Sequence, residues 1–507
     1  MSCGADRGVV GWKEARREAQ VEAWKRGAIP TGWPRPYRPQ ARPFPHGLTT
    51  PVKCSAGEAA RRQAEQRKAK ADLVSWTAAR KALEARIGHK LRKAEREEFE
   101  IEHPKPEGVG HPRLAEIPVE DYGDPDLRWF LTGPQAGKVI VNFSGGKDSL
   151  ALLLYVMEVC AAAGLDPREH VEAWHQSVDG RPEHLEGESS QSVGRGSDYH
   201  QAKWDWPVTE SYCRAVCECL GIQLFFGWRE GGLQGTVLKG EDRARARAPA
   251  AFELPGQIEE TAGGKSQDHG VRMSYPMTGA DLRTRWCSAE VKIDVGKSQL
   301  SAREDLFGKR ILYCTGERAE ESANRATYAE REFFGEFKAG RIYGKHGADG
   351  RHVERWRPLL DWCELDVWAQ IRRWGIRPHP AYRIGFGRLS CMTCIFGNAQ
   401  QWATVKKLDP TRYEQFVATE DALLRRQKKD VAAGVPGAQK RLTTVKRGTP
   451  KTRTPLPVVI AGAKPYKGDY SVAPLAMSTH YPISMVRVDP RSWKLPAGAF
   501  REGAGPT

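Results

Sequence analysis

Two groups of residues in this chain have the types and spacing of chemistry. The first is Ser144-Gly145-Gly146-Lys147-Asp148-Ser149. Its glycines let a backbone approach an anion and permit positive φ. Ser144 and Ser149 offer hydroxyls, Lys147 offers charge, and a helix beginning here aims unpaired N–H groups at a phosphate. The Walker A pattern, with four residues between a glycine and a Gly-Lys pair, is different. The second group is Cys391-Met392-Thr393-Cys394, with Cys287 upstream in Arg285-Trp286-Cys287. Cys-x-x-Cys spacing lets two thiolates reach one metal or cluster, or form a redox pair.

Elements must place these groups. Lys138 to Phe143 predicts a strand running into the glycine turn, and an apolar helix follows from Asp148. Val171 to His175, Gln223 to Phe226 and Arg310 to Thr315 predict three more strands, with helical patterns between them. Such alternation predicts an α/β fold, a doubly wound and mostly parallel sheet. Cys213 and Cys217 share a helix face beside Val216 and Leu220, and read as core rather than ligands. Cys314 and Cys363 read as core too. Gly231 to Gly270 is Gly-rich and charged, and predicts a flexible insertion or lid. A further helix is expected from Asp409-Pro410, with Asp as N-cap and Pro at the first helical position.

The flanks differ in composition. Residues 1–125 are proline-rich from Trp33 to Pro51, then dense in Ala, Arg, Lys and Glu from Glu58 to Glu102, where Leu83, Ile87 and Leu91 make a narrow helical stripe. Residues 126–425 form the α/β unit. Residues 426–507 read as a basic, partly irregular tail, with Lys428 to Thr454 as linker-like chain. The formal net charge of +16 suits polyanionic partners or a solvated basic surface, and charge alone does not choose between them. The mean hydropathy of -0.59 and the break of the longest apolar stretch at Glu158 leave no membrane span of roughly 18 residues. The N-terminus lacks a secretory apolar region. Eleven cysteines are too sparse for a disulfide scaffold, so a cytoplasmic protein is expected.

Ser144 to Ser149 resembles the PP-loop of the N-type ATP pyrophosphatases, the adenine nucleotide alpha hydrolase superfamily. Gly316-Glu317-Arg318-Ala319-Glu320-Glu321-Ser322-Ala323-Asn324-Arg325 resembles a segment of phosphoadenosine phosphosulfate (PAPS) reductase-like proteins. Pro358 to Trp362, Asp366-Val367-Trp368, and His379 to Tyr382 before Gly385-Phe386-Gly387-Arg388 resemble later segments of the same family. The likeness spans about 135 to 425, apart from 231–270.

The resemblance implies that the loop grips the β,γ-pyrophosphate of ATP and that cleavage falls at the α-phosphate. Lys147, Asp148 and Arg318 would be catalytic. Ser144, Gly145, Gly146, Lys147, Asp148, Ser149, Asp179, Arg318 and Arg325 would hold the nucleotide. Asp148 and Asp179 would each help hold Mg²⁺, although Asp179 lies in Val178-Asp179-Gly180 where the family has Asp-Thr-Gly. Cluster-bearing reductases of the family use a Cys-Cys pair and a Cys-x-x-Cys pair around a 4Fe-4S cluster. Trp286 replaces the first of these cysteines, so Cys287, Cys391 and Cys394 would leave one iron open. Zinc on the three thiols with His379 is the alternative.

The function implied is adenylation of an acceptor oxygen with release of pyrophosphate, followed by sulfur transfer. The acceptor could be DNA, tRNA or a small molecule, and a sulfur-donor protein could serve it. PAPS reduction, sulfate adenylation and a non-catalytic nucleotide-sensing or nucleic-acid-binding module are the other readings. Against reduction, no cysteine follows Cys394 in this sequence.

Overall fold

The apolar runs become strands whose alternate side chains feed two different cores. Val139 and Val141 enter one buried cluster and Ile140 the other; Leu312 and Cys314 face the first, Ile311 and Tyr313 the second. This period of two is what a sheet covered on both faces requires. In the computed structural model the described residues are 125–180, 202–239, 248–260, 271–279, 281–322, 324–334, 351–446 and 454–501.

The strands are β1 (Val139–Asn142), β2 (Val171–Ser177), β3 (Gln223–Arg229), β4 (Ala250–Leu254), β5 (Gln257–Glu260), β6 (Arg310–Cys314), β7 (Arg331–Phe333) and β8 (His352–Trp356). Their order across the sheet is β5-β4-β3-β2-β1-β6-β8-β7. The five central strands are parallel, and β4, β5 and β7 pair antiparallel at the edges. The expected α/β class, mostly parallel, is present. The chain moves from β1 to β2 and β3 on one side and later returns to place β6 on the other. The gap beyond the carboxyl ends of β1 and β6 is therefore a topological switch point, where open α/β sheets bind ligands.

One face carries α1 (Lys147–Ala162), α2 (Thr209–Leu220) and α4 (Glu364–Arg373); α3 (Asp294–Ala302) packs on the other. Leu150 to Leu154 of α1 are fully buried, as in a helix enclosed on all sides. Glu158, which breaks the apolar run in the sequence, is paired there with Arg373 of α4 and accepts from Trp374 Nε1 at 2.6 Å. A buried charge is tolerable when it is paired in this way. Among the described residues no helix is long and apolar enough to cross a membrane.

Two stretches differ from the sequence reading. The expected insertion at 231–270 contributes a short helix, Gly232–Val237, and the β4–β5 hairpin, which extends the sheet beyond β3. Its consecutive Ala250, Ala251 and Phe252 are all buried, despite the charged sequence around them. Past α5 (Ala399–Leu408), helix α6 (Pro410–Ala432) continues beyond the expected boundary at 425, with Asp409 capping the N–H of Arg412 as its Asp-Pro start predicts. The following chain packs back on it: Val445 N–H and Leu456 N–H both donate to the buried Glu420 carboxylate. The expected helix at 58–102 and the chain at 447–453 lie outside the described residues.

Candidate active site

The glycine turn leaves β1 and enters α1 at the switch point. Gly145 has φ +77°, a conformation that glycine adopts without a Cβ penalty. Gly146 is the N-cap of α1 with an ordinary negative φ, and its amide carries no side chain between the helix N-terminus and a ligand. Ser149 Oγ accepts from Ser144 N–H at 3.2 Å and donates to Gly146 O at 3.1 Å, so the turn is pinned by its own serines.

Two cations meet over this turn. Lys147 is fully buried, with Nζ 3.4 Å from Asp148 and 3.9 Å from Glu364. Arg318, also fully buried, arrives from the loop after β6 and donates from Nε to Asp148 at 2.6 Å. Glu321 fixes the approach by accepting from Arg318 N–H at 2.9 Å, and it pairs in turn with Arg325. Burial alone would raise the pKa of Asp148, but Arg318 and Lys147 outweigh it and hold the carboxyl well below the usual range. Two buried cations, paired with Asp148, Glu364 and Glu320, thus lie beside a helix N-terminus whose amides suit a phosphate chain.

Tyr382 completes the arrangement. Its hydroxyl accepts from Lys147 N–H at 2.8 Å and from Leu389 N–H at 3.2 Å. Glu364 joins a second remote segment to the lysine: its Oε1 accepts from Trp368 Nε1 at 3.0 Å and from Phe500 N–H at 2.8 Å. Neither Tyr382 nor Glu364 was singled out in the sequence. The Gly385-Phe386-Gly387 turn after Tyr382 was visible, but no local signal shows a hydroxyl reaching the glycine turn 235 residues away.

Asp179, just past β2, is bound to the returning chain. Its two oxygens accept from Trp204 N–H at 2.7 Å and Asp205 N–H at 3.0 Å. Burial raises its pKa, and those hydrogen bonds oppose the rise. The carboxylate thus clamps the chain where it returns at residue 204. Among the described residues no three His, Cys, Asp or Glu side chains are drawn together as ligands of a single metal ion.

The three selected thiols are neighbours through a residue given little weight in the sequence. Lys292 is enclosed by Cys391, Asp205, Cys287 and Cys394; burial opposes its charge, yet these groups hold its pKa above the usual lysine value. Cys391 is raised well above the usual thiol by burial, with Lys292 opposing. Cys287 is pushed up to about 11 by burial and by Cys394. Soft thiol donors around an ammonium fit a thiolate-held iron–sulfur cluster in chemical kind; the ammonium opposes, without overcoming, the rise that burial imposes on the free thiols. Trp286 stands buried beside Cys287, its ring 4.2 Å from the Arg272 guanidinium.

His379 does not serve the thiols as the zinc alternative requires. Its Nδ1 accepts from Ala381 N–H at 3.2 Å and its Nε2 meets Thr209 Oγ1 at 3.4 Å, so both ring nitrogens are engaged. Cys213, Cys217, Cys314 and Cys363 are buried in the core, in keeping with their apolar settings.

Residues 271–396 match the phosphoadenosine phosphosulfate reductase domain. An uncharacterised 37.8 kDa protein of Escherichia phage 186 is 30% identical over 131 residues, 26% of this chain and 34% of that protein. The adenosine 5'-phosphosulfate reductase of Burkholderia cepacia is 28% identical over 169 residues, 33% of this chain and 58% of the enzyme. The enzyme of that name from Neisseria meningitidis serogroup B is 35% identical over 82 residues, 16% of this chain and 28% of its own length. The chain thus spans less than two thirds of each of these relatives. The domain match includes Cys287, Arg318, Arg325, Cys391 and Cys394, and begins beyond the glycine turn.

Proposed function

With residues 271–396 belonging to the PAPS reductase-like family, we propose that this chain binds ATP at Ser144–Ser149 and adenylates an acceptor with release of pyrophosphate. The observation that carries the reading is the convergence of Lys147 and Arg318 on Asp148 at the N-terminus of α1. An acceptor oxygen attacks the α-phosphorus, the bond to the bridging oxygen breaks, and the electron pair leaves on pyrophosphate. Lys147, Arg318 and the amides of the turn offset the charge that grows there. Asp148 is the carboxylate placed to accompany Mg²⁺ on the phosphates. A sulfur nucleophile then attacks the atom that carries the adenylated oxygen, and AMP leaves.

Cys287, Cys391 and Cys394 are the residues that would hold an iron–sulfur cluster. When bound, the cluster would supply an iron site with affinity for sulfur. Lys292 would offset part of the negative charge of metal-bound thiolates, and Trp286 would exclude water beside them. The acceptor is a nucleic acid met by the basic flanks or a small molecule, and a sulfur-donor protein would renew the sulfur.

The names of the Burkholderia and Neisseria relatives favour a second reading, reduction of a sulfonucleotide. One experiment separates them. The anaerobically purified protein is given Mg²⁺ with ATP labelled at the α- or γ-phosphate, and separately adenosine 5'-phosphosulfate with a thiol. Acceptor-dependent pyrophosphate and AMP support adenylation. Sulfite from the sulfonucleotide supports reduction, and binding of ATP without turnover supports a sensing module.

A further inference from the structure

The C-terminal segment builds a second concave site behind the aromatic layer of the active site. Ile376 and Arg487 form an antiparallel bridge, Arg377 N–H donates to Val486 O at 2.8 Å, and Trp493 Nε1 donates to Ile376 O at 2.6 Å. Between these strips lies a cavity of about 590 Å³, lined by Arg377, Arg383, Asp469, Tyr481, Trp493 and Lys494 among others. That volume is in the range of sites that take small organic molecules, roughly 300–1,000 Å³.

Its charge is unbalanced. Arg383 is paired with Asp469 at 2.5 Å. The Arg377 side chain makes no hydrogen bond or ion pair with another described residue, and its Nε is buried without a partner. Lys494 is exposed and likewise forms no ion pair among the described residues. Arg377 and Lys494 thus line the cavity without a carboxylate partner among the described residues, and cations so placed favour an anionic guest. Tyr481, buried at the same wall, has both Arg377 and Arg383 close enough to act on its hydroxyl. The remaining wall is aliphatic and proline-rich, which suits an apolar body rather than a bare, strongly hydrated ion.

We propose that this cavity binds an organic phosphate monoester, with the phosphate on Arg377 and Lys494 and the apolar body against Tyr481 and Trp493. Arginine is the residue suited to planar, two-point contact with phosphate, and lysine adds a mobile point charge. The site is separate from the glycine turn: Tyr481 packs edge-on against Tyr212 at 5.1 Å, and Tyr212 lies between it and Gly145. It does not depend on the adenylation reading.

The test is calorimetric titration of the full chain with phenyl phosphate, inorganic phosphate and AMP. In the Lys147→Gln protein, which has lost the loop cation, phenyl phosphate binds one site at least about tenfold more tightly than inorganic phosphate. Arg377→Gln and Lys494→Gln each weaken it by roughly tenfold, the scale of one charge-assisted hydrogen bond. Arg377 makes no structural side-chain bond and Lys494 is exposed, so both variants retain the wild-type far-ultraviolet dichroism. AMP competing for this site in the Lys147→Gln protein identifies a nucleotide pocket; phenyl phosphate binding without AMP competition identifies a smaller ester. The proposal is overturned if phenyl phosphate binds no better than inorganic phosphate. It is also overturned if Lys147→Gln abolishes the binding, or if folded Arg377→Gln and Lys494→Gln proteins bind as the parent does.

Discussion

Arg318 reaches Asp148 across the switch point, from the end of β6 to the start of α1, in a 2.6 Å charge-assisted hydrogen bond. The pair joins the two halves of the sheet where a phosphate chain would lie. It also means that Asp148 screens both Lys147 and Arg318 when no nucleotide is present.

Replacing Asp148 by Asn therefore has opposite effects on stability and on anion affinity. Losing the carboxylate that the two buried cations share costs about 1–3 kcal/mol of folding stability, read as a lower urea midpoint without ligand. Pyrophosphate in the presence of a chelator binds several-fold more tightly than to the parent. With Mg²⁺ restored, pyrophosphate release from ATP falls, because the carboxylate that accompanies the metal is gone. A metal-free affinity that drops in Asp148→Asn would contradict the arrangement.

Tyr382→Phe removes a hydroxyl that accepts from two backbone N–H groups. The loss is about 1–2 kcal/mol in the unliganded protein, since the two donors are left without their acceptor. Saturating ATP recovers part of the deficit, because a phosphate oxygen can take the Lys147 N–H. Denaturant titrations with and without ATP measure the difference; an equal deficit in both would make the hydroxyl purely structural.

The thiols give a colour test. Anaerobic protein is brown and bleaches in air, and Cys287→Ala, Cys391→Ala and Cys394→Ala each lower the iron content while ATP binding survives. Cys213→Ala leaves iron unchanged, as a core substitution away from Lys292. Trp286→Cys supplies a fourth thiol, retains the colour and suppresses sulfur transfer. Full iron content in Cys391→Ala would remove the thiol assignment.

His379 sets a pH response. Burial lowers its pKa from 6.5 to about 3. The folded imidazole stays neutral while the unfolded one gains a proton, so its contribution to stability is present above pH 6.5 and is lost as pH falls toward 3. Each pH unit across the middle of that window costs about 1.4 kcal/mol from this group. His379→Gln lowers the proton uptake on unfolding at pH 5 by about one, measured from the pH slope of the unfolding free energy. An unchanged slope would refute the burial argument.

The sequence was most legible where chemistry is local. Strand β1, the glycine turn and the apolar helix follow one another within a single stretch, so the strand–turn–helix of the candidate site could be read directly. The Asp409-Pro410 helix start was equally local. What could not be read were contacts made by tertiary return of the chain. Tyr382 shares no periodicity with Lys147, and Glu364 meets Phe500 136 residues later in the chain. Asp179 was ambiguous because an acidic residue after a strand suits a metal or a turn equally well; the bonds from Trp204 and Asp205 needed the return of the chain to be seen. The β4–β5 hairpin was hidden by the glycine and charge density of its surroundings.

The hydrogen bond from Phe500 to Glu364 gives the nucleotide loop a temporal dimension. A ribosome delivers the chain from its N-terminus at about 5–20 residues per second. The glycine turn, α1 and Arg318 therefore emerge long before the donor that completes the Glu364 carboxylate beside Lys147. The sheet's strands are all delivered while Glu364 still lacks one of its hydrogen-bond donors. The last hydrogen bond on the Glu364 carboxylate is thus made after the sheet's own strands have been delivered.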